Sequence, residues 1–341
     1  MKLCKTEEAV GQILCHDITQ IIPGVVKDAV FRKGHIILEE DIPVLLSVGK
    51  EHIYIWENDE NMLHENDAAD ILCSICKGNG MHKTEVKEGK IELIADCDGV
   101  LKIEREILWN VNGLGEMMIA SRHGDFPVKK GDKIAGTRII PLVIEKEKME
   151  RAKEVVGGKT IFQILPYQQK KIGLVTTGSE VYKGRIQDAF TPVIREKLAE
   201  YGMEIQMQKL SGDDHKQITE IIQSMVDAGM DMIICTGGMS VDPDDRTPLA
   251  IKNTGAKIVT YGAPVLPGAM FMLGYVKGAI PIVGLPGCVM YAKRTIFDLV
   301  LPRLLAGEKI EKEELDRLGE GGLCLNCQIC TFPNCGFGKG V

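Results

Sequence analysis

A regular alternation of apolar strand-length runs and helix-length segments between residues 171 and 305 is the feature that most constrains the fold. It predicts strands at residues 171–175, 204–209 and 231–235, and it predicts helices between them at residues 188–201 and 214–228. The two helices end at Gly202 and Gly229, which are typical helix stops. Residues 270–276 and 280–285 then predict a closing hairpin, and residues 291–305 a last helix. This order of elements is typical of an α/β domain, with a mostly parallel sheet and helices on both faces.

Polar turns follow the predicted strands of this segment. They are Thr176–Glu180, Ser211–Asp214, Thr236–Pro248 and Leu285–Cys288. In open α/β sheets, ligands bind beyond the carboxyl ends of the strands, so these turns predict one shared pocket. Backbone N–H groups in such turns hold anionic oxygens, whereas clustered carboxylates repel one another unless a cation such as Mg²⁺ joins them. The pattern therefore predicts a phosphate-and-magnesium site.

The predicted site residues fall into two groups. The ligand-binding group is Thr177, Gly178, Ser179, Gly237, Gly238, Ser240, Thr247, Pro286 and Gly287, and the magnesium group is Asp214, Asp244 and Asp245. Simpler structural roles compete with both groups. Gly237 and Gly238 also suit a plain turn after a strand, and Asp188 and Asp214 each precede a predicted helix, where aspartate is a common cap.

The same turns resemble a known domain. Thr177-Gly178-Ser179-Glu180-Val181 is similar to its T-G-D-E-L turn, and Gly237, Gly238, Ser240 and Asp245 match its G-G-x-S-x-G-x-x-D signature. Leu285-Pro286-Gly287 matches the start of its L-P-G-N-P turn. Ser179, Asp242 and Cys288 depart from these patterns. The segment thus resembles the molybdopterin-binding domain of molybdopterin molybdenumtransferases, molybdopterin adenylyltransferases and the competence/damage-inducible family.

The resemblance implies a role in molybdenum-cofactor biosynthesis. The transferase reaction is the magnesium-dependent insertion of molybdate into adenylated molybdopterin with release of AMP. By the same resemblance Glu180, Asp213 and Asp245 would be catalytic, and the protein would be a homodimer with a molybdoenzyme as a further partner. The counter-charges for molybdate would come from basic residues, with three candidates: Lys183, Lys277 and Arg294.

Two alternatives to the transferase stay open. Asp245-Arg246-Thr247-Pro248 resembles a stretch of the adenylyltransferases, which favours that activity or a competence-type nucleotide pyrophosphohydrolase. The transferases also carry an S-x-M-D-G-Y-A loop, and its nearest trace here is Lys27-Asp28-Ala29. That departure favours a non-catalytic carrier of molybdopterin or of the finished cofactor.

Four cysteines near residue 341 predict a separate metal site. Cys324, Cys327, Cys330 and Cys335 have the close spacing of iron–sulfur ligands, and structural zinc is the alternative. The charged stretch 308–317 predicts a linker that makes this tail independent of the pocket. The earlier pair Cys73 and Cys76 predicts buried packing within a helix.

Chain length and net charge limit the possible domain organisation and the possible binding partners. The 341 residues predict several domains: an α+β region at 1–80, a small β domain at 81–150, the α/β domain at 151–308 and the tail at 309–341. Acidic residues outnumber basic ones by 48 to 41, for a net charge of -7, which excludes an extended nucleic-acid interface. No export signal or membrane-length apolar run stands out, so a cytoplasmic protein without a membrane partner is expected.

Overall fold

The computed structural model describes residues 2–22, 26–55, 60–240, 242–243 and 245–340. The chain divides into two compact units. Unit 1 comprises Met1–Asp96, Ile103–Arg122 and Gly131–Gln163, and unit 2 comprises Cys97–Lys102, His123–Lys130 and Ile164–Val341.

The strands and helices are defined here in chain order. The strands are β1 (Lys2–Lys5), β2 (Ile18–Ile22), β3 (Val26–Phe31), β4 (His52–Ile55), β5 (Met62–His64), β6 (Met81–Lys83), β7 (Lys90–Ala95), β8 (Gly99–Ile103), β9 (Met117–Ser121), β10 (Pro127–Val128), β11 (Lys133–Ile139), β12 (Val143–Glu145), β13 (Phe162–Pro166), β14 (Ile172–Thr177), β15 (Ile205–Ser211), β16 (Met232–Thr236), β17 (Lys257–Tyr261), β18 (Met272–Val276) and β19 (Ile280–Leu285). The helices are α1 (Ile42–Ser47), α2 (Glu65–Cys76), α3 (Arg105–Asn112), α4 (Lys146–Val156), α5 (Ser179–Tyr182), α6 (Phe190–Ala199), α7 (His215–Asp227), α8 (Thr247–Asn253), α9 (Ile296–Leu305) and α10 (Lys312–Asp316).

The central sheet of unit 2 has the strand order β15-β14-β16-β19-β18-β17. Strands β15, β14, β16 and β19 run parallel, and β18 is antiparallel to both of its neighbours. Every residue of β16 is buried, as expected for a strand covered on both faces. The mostly parallel sheet and its closing hairpin β18–β19 are therefore confirmed.

Helices cover both faces of this sheet. Alternate residues of β14 point to opposite faces, so Leu174 packs with α6 and α9 while Val175 packs with α7 and α8. Both clusters consist of buried apolar side chains. The predicted arrangement of helices on both faces is confirmed.

The ends of the helices follow local signals in the sequence. Asp188 caps α6 by accepting hydrogen bonds from the N–H groups of Phe190 (2.9 Å) and Thr191 (3.0 Å). Gly229 follows α7 with a φ of +78°, a conformation that favours glycine. The last helix, predicted from residue 291, instead begins at Ile296. Thr295 and Asp298 form a capping box there, which satisfies the first N–H groups of α9.

Unit 1 is built from small antiparallel sheets. Its largest sheet has the order β6-β7-β11-β9, and α2 contributes the fully buried Cys73 and Cys76, as predicted. The expected small β domain also contains a helix, α3, between β8 and β9. A second cluster, which includes Leu14, Ile37 and Leu45, forms a core nearer the start of the chain.

The cysteine-rich tail is part of unit 2. Phe337 is buried in the same core cluster as α9. The N–H of Ile310 donates to the Tyr275 hydroxyl (2.8 Å), and the N–H of Cys324 donates to the carbonyl of Leu266 (2.8 Å). The prediction of a linker at 308–317 is therefore wrong, because Ile310 and Leu315 bury their apolar side chains. Across the described residues, none of the helices is long and apolar enough to cross a membrane.

Candidate ligand-binding site

A cavity of about 480 Å³ lies at the carboxyl edge of the parallel strands. The turns after β16 and β19 form much of its wall, and Phe190 and Tyr291 add aromatic surface. Six of the predicted ligand and metal residues line it: Gly237, Gly238, Ser240, Asp245, Pro286 and Gly287. The structure thus brings together the residues that were predicted to follow two neighbouring strands.

The turn after β16 requires its two glycines. Gly237 has a φ of +86° and Gly238 a φ of +55°. A Cβ atom on Gly237 would lie 2.3 Å from the carbonyl oxygen of Thr177, and one on Gly238 would lie 2.9 Å from the Thr247 hydroxyl. Steric contact and backbone conformation both exclude side chains here. The result is a tight turn whose backbone faces a cavity.

Two buried threonines support this turn from the side of the sheet. The hydroxyls of Thr177 and Thr247 are 3.0 Å apart, and the Thr177 hydroxyl also donates to the carbonyl of Thr236 (3.1 Å). Thr177 is 3% exposed and Thr247 is 0% exposed. Because the cavity wall does not include them, we infer that both act on a ligand only by holding the glycine turn in place.

Asp245 organises the loop that follows the glycines. One of its carboxylate oxygens accepts a hydrogen bond from the N–H of Ser240 (2.9 Å). Its own N–H donates to the carbonyl of Asp242 (2.9 Å), and the N–H of Thr247 donates to the carbonyl of Gly238 (3.2 Å). Asp245 is half-buried and lines the cavity, so its carboxylate is placed to act on a bound ligand.

Three other predicted carboxylates, Asp213, Asp214 and Glu180, lie outside the cavity wall. Asp213 accepts a hydrogen bond from the N–H of Ser179 (3.1 Å), which ties the turn after β15 to the turn after β14, where Gly178 opens α5. Asp214 caps α7 by accepting from the N–H of Lys216 (2.9 Å). Glu180 is exposed in α5. The turns after β14 and β15 thus form a group of their own.

The predicted magnesium ligands are not assembled by the residues that the structure describes. Asp214 serves as a helix cap, and Asp244 lies outside the described residues. Within the described ranges, no three His, Cys, Asp or Glu side chains are grouped so that they could hold one metal ion. Asp245 is the member of the predicted set that faces the cavity.

Two of the three predicted counter-charges for molybdate are paired elsewhere. Lys277 lies in the hairpin at the amino end of β19, opposite the carboxyl edge, and contacts Asp227 at 3.1 Å. Arg294 forms ion pairs of 2.9 Å with both Glu200 and Asp298. Neither residue lines the cavity, and a role for either in binding molybdate stays a prediction. Lys183 is exposed after α5.

Sequence reasoning missed the aromatic residues of the site. The Tyr261 hydroxyl donates to the carbonyl of Met239 (3.1 Å) beside the glycine turn. Burial raises the pKa of Tyr261, and the negative charge of Asp245 raises it further. Tyr261 ends β17, a strand that the periodicity did not predict. Phe190 and Tyr291 carried no signal beyond being large aromatic residues within predicted helices.

The four tail cysteines line a second cavity, of about 270 Å³. Cys327 and Cys330 are exposed, whereas Cys324 and Cys335 are half-buried and pack against the core of unit 2. The structure therefore brings together all four residues that the spacing singled out.

Comparison with known proteins supports the resemblance seen in the turns. Residues 173–306 match the family model described as a probable molybdopterin binding domain. The segment is thus similar to molybdopterin-binding domains over 134 of the chain's 341 residues. It contains the whole central sheet apart from the first residue of β14, together with the glycine turn and Asp245. Residues 3–57 match a second family, described as a domain of unknown function (DUF8806).

Individual relatives share only parts of the chain. A CinA-like protein of Mycobacterium avium (strain 104) is 38% identical over 77 residues, which are 23% of this chain and 18% of that protein. A CinA-like protein of Mycolicibacterium gilvum (strain PYR-GCK) has the same identity over the same length. The chain thus spans about a fifth of the length of these curated relatives.

Solved structures of molybdopterin biosynthesis proteins also match in part. The MoaB enzyme of Thermus thermophilus has 25% sequence identity and a TM-score of 0.34, over 41% of this chain and 98% of that chain. The tungsten cofactor synthesizing protein MoaB of Pyrococcus furiosus has 22% identity and a TM-score of 0.31, over 36% of this chain and 84% of that chain.

Proposed function

We propose that this protein acts in molybdenum-cofactor biosynthesis by binding molybdopterin, free or adenylated, in the cavity of its molybdopterin-binding domain. The observation that carries the proposal is the turn Gly237–Gly238. Both glycines have positive φ and are sterically required, and the turn opens onto a cavity at the edge of the sheet where α/β domains bind ligands.

The cavity offers a distinct surface to each part of the ligand. Backbone groups of the turn after β16 suit phosphate oxygens, because a side chain there would block close approach. Phe190 and Tyr291 offer flat apolar surface for the pterin rings, a common feature of small-molecule sites. Pro286 and Gly287 close the cavity on the side of β19.

We further propose that the bound molybdopterin is processed by magnesium-dependent insertion of molybdate with release of AMP. Asp245 would hold the magnesium ion, and the charge of the ion would offset the repulsion between this carboxylate and the phosphate oxygens of the ligand. Asp245 already fixes the N–H of Ser240, so it would hold the loop and the ion together. In this reaction Asp213 and Glu180 would act from the neighbouring turns after β15 and β14, and a homodimer and a recipient molybdoenzyme would be its partners.

The test is an AMP-release assay with adenylated molybdopterin, magnesium and molybdate. The proposed reaction predicts AMP release that depends on molybdate and disappears when magnesium is removed by a chelator. Binding of molybdopterin is measured in parallel by titration. A protein that neither binds molybdopterin nor releases AMP would contradict the proposed function.

One observation favours a carrier as the second candidate. Asp213, Asp214 and Asp245 each accept a hydrogen bond from a backbone N–H, so each has a structural task in the folded chain. A carrier would bind molybdopterin tightly and leave the adenylated form intact with or without molybdate. Adenylation of molybdopterin in the presence of ATP would instead identify an adenylyltransferase.

A further inference from the structure

The four cysteines of the tail line one cavity of unit 2. Cys324, Cys327, Cys330 and Cys335 all line a space of about 270 Å³. We propose that these four cysteines bind an iron–sulfur cluster.

The spacing of the cysteines along the chain favours a cluster over structural zinc. Zinc holds its four sulfur ligands at about 2.3 Å, which forces the thiolates around a single point. All four tail cysteines border the same space. A cluster fills such a space with its own iron and sulfide and reaches each cysteine separately. The two-residue gaps between the first three cysteines also match the spacing of cluster ligands.

The charges around the cavity suit a negatively charged cluster. Lys293 lines it, and the described lining residues include no carboxylate. Arg294 also lines it, but its charge is compensated by the ion pairs with Glu200 and Asp298. The Lys293 ammonium donates to the carbonyls of Cys327 (3.0 Å) and Gln328 (2.8 Å), so its charge is held at the cysteine loop. The Arg294 guanidinium lies 4.9 Å from the centre of the Phe332 ring, at the same wall.

The cysteine loop is held in place from both ends. The N–H of Cys324 bonds to the carbonyl of Leu266, and Leu323 forms a β-bridge with Leu266. At the other end Cys335 and Phe337 pack against the core of unit 2. The exposed pair, Cys327 and Cys330, lies between these anchors, where iron and sulfide can enter from solvent.

The proposed cluster would lie close to the candidate ligand-binding site. Tyr291 lines the 480 Å³ cavity and Lys293 lines the cysteine cavity. Consecutive Cα atoms are about 3.8 Å apart, so the Cα atoms of Tyr291 and Lys293 are separated by at most about 7.6 Å. The same short segment of chain therefore contributes to both walls. The cluster proposal does not depend on which ligand the larger cavity binds.

The experiment measures metal and sulfide in the full-length protein. Protein purified without oxygen, and protein reconstituted with ferrous iron and sulfide, should contain iron and acid-labile sulfide in equal amounts and should absorb broadly in the visible range. The variant with both Cys327→Ser and Cys330→Ser should lose the iron, the sulfide and the absorbance. Because both side chains are exposed, its metal-free form should unfold at the same temperature as the metal-free wild type.

Cys4→Ser is the matched control, since Cys4 is a half-exposed cysteine of unit 1. It should retain the full iron and sulfide content. Zinc in place of iron, iron without sulfide, or a double variant that still carries the cluster would each overturn the proposal. Titration of the double variant with molybdopterin separates this test from that of the proposed function, because pterin binding can succeed or fail whatever the iron content.

Discussion

At the residue scale, Asp245 is the carboxylate on which the proposed chemistry depends. We expect Asp245→Asn to reduce molybdate-dependent AMP release by about 100-fold or more, because a neutral amide cannot hold magnesium against phosphate. The amide oxygen can still accept the hydrogen bond from the N–H of Ser240, so the melting temperature should change little. AMP release and thermal unfolding are measured on the same preparation. Unchanged turnover would contradict the proposed role of Asp245 in the reaction, and a collapse of the melting temperature would indicate a structural role instead.

Gly238 and Gly229 allow a matched test of the glycine turn. Both have positive φ, but a Cβ atom on Gly238 would meet the Thr247 hydroxyl at 2.9 Å, whereas one on Gly229 would meet nothing within 4 Å. Each change to alanine should cost about 1 kcal/mol of stability from the backbone conformation. Only Gly238→Ala should also weaken molybdopterin binding in a titration. An equal loss of affinity in the two variants would argue against the turn as the phosphate site.

At the scale of elements, the role of Asp214 is to cap the first turn of α7. As a helix cap, Asp214 is replaceable by asparagine with a change of a few tenths of a kcal/mol, whereas Asp214→Ala should cost about 1 kcal/mol. Magnesium affinity should be the same in wild type and Asp214→Asn. Chemical denaturation measures the first effect and calorimetric titration with magnesium measures the second. Weaker magnesium binding in Asp214→Asn would restore the original assignment as a ligand.

The elements of unit 2 also show how far the sequence alone leads. Strands β14, β15 and β16 and helices α6 and α7 follow from apolar periodicity and glycine stops, because burial between two layers enforces that periodicity. The glycine turn follows from its position after a buried strand. The sequence does not predict whether the carboxylates converge on one site. A side chain such as Asp214 can cap a helix or bind a metal ion, and its role depends on the tertiary structure.

Two further features depended on contacts between distant parts of the chain. The start of α9 is set by Thr295 and Asp298, and Asp298 also forms a 2.7 Å ion pair with Lys197, a hundred residues earlier. The packing of the tail relies on Leu266 and Tyr275, which precede it in the chain by 35 residues or more. Local periodicity contains no information on such pairs, so the predicted helix start and the predicted linker both failed.

At the scale of the whole molecule, Glu308 makes the stability of unit 2 sensitive to acid. Burial alone would raise the pKa of Glu308, but its hydrogen bonds with Arg303 (2.7 and 2.9 Å) and its ion pair with Lys102 lower it below the usual 4.5. A carboxyl with a lowered pKa in the folded state stabilises the fold above the unfolded pKa. That stabilisation is lost as the pH falls through the folded pKa.

We therefore expect the melting temperature of the wild type to exceed that of Glu308→Gln at pH 7. The difference should shrink as the pH falls below about 4.5, where the wild-type carboxyl becomes protonated. Scanning calorimetry of both proteins between neutral and acidic pH measures this convergence. Glu311→Gln is a control for an exposed glutamate from the same stretch of chain. A constant difference between wild type and Glu308→Gln at every pH would contradict the ion-pair explanation.

The burial of Phe337 has a consequence for how such a chain can evolve. Phe337 is 5% exposed and shares the core cluster of α9. A lineage that discarded the cysteine segment in one deletion would uncover that core, so the loss would have to be accompanied by substitutions on α9. If the segment was instead gained by fusion, α9 would have needed substitutions that created an apolar surface for Phe337. The tail and the domain are therefore expected to evolve together. Substitutions at Phe337 and on α9 are expected to co-vary among descendants of the same gene.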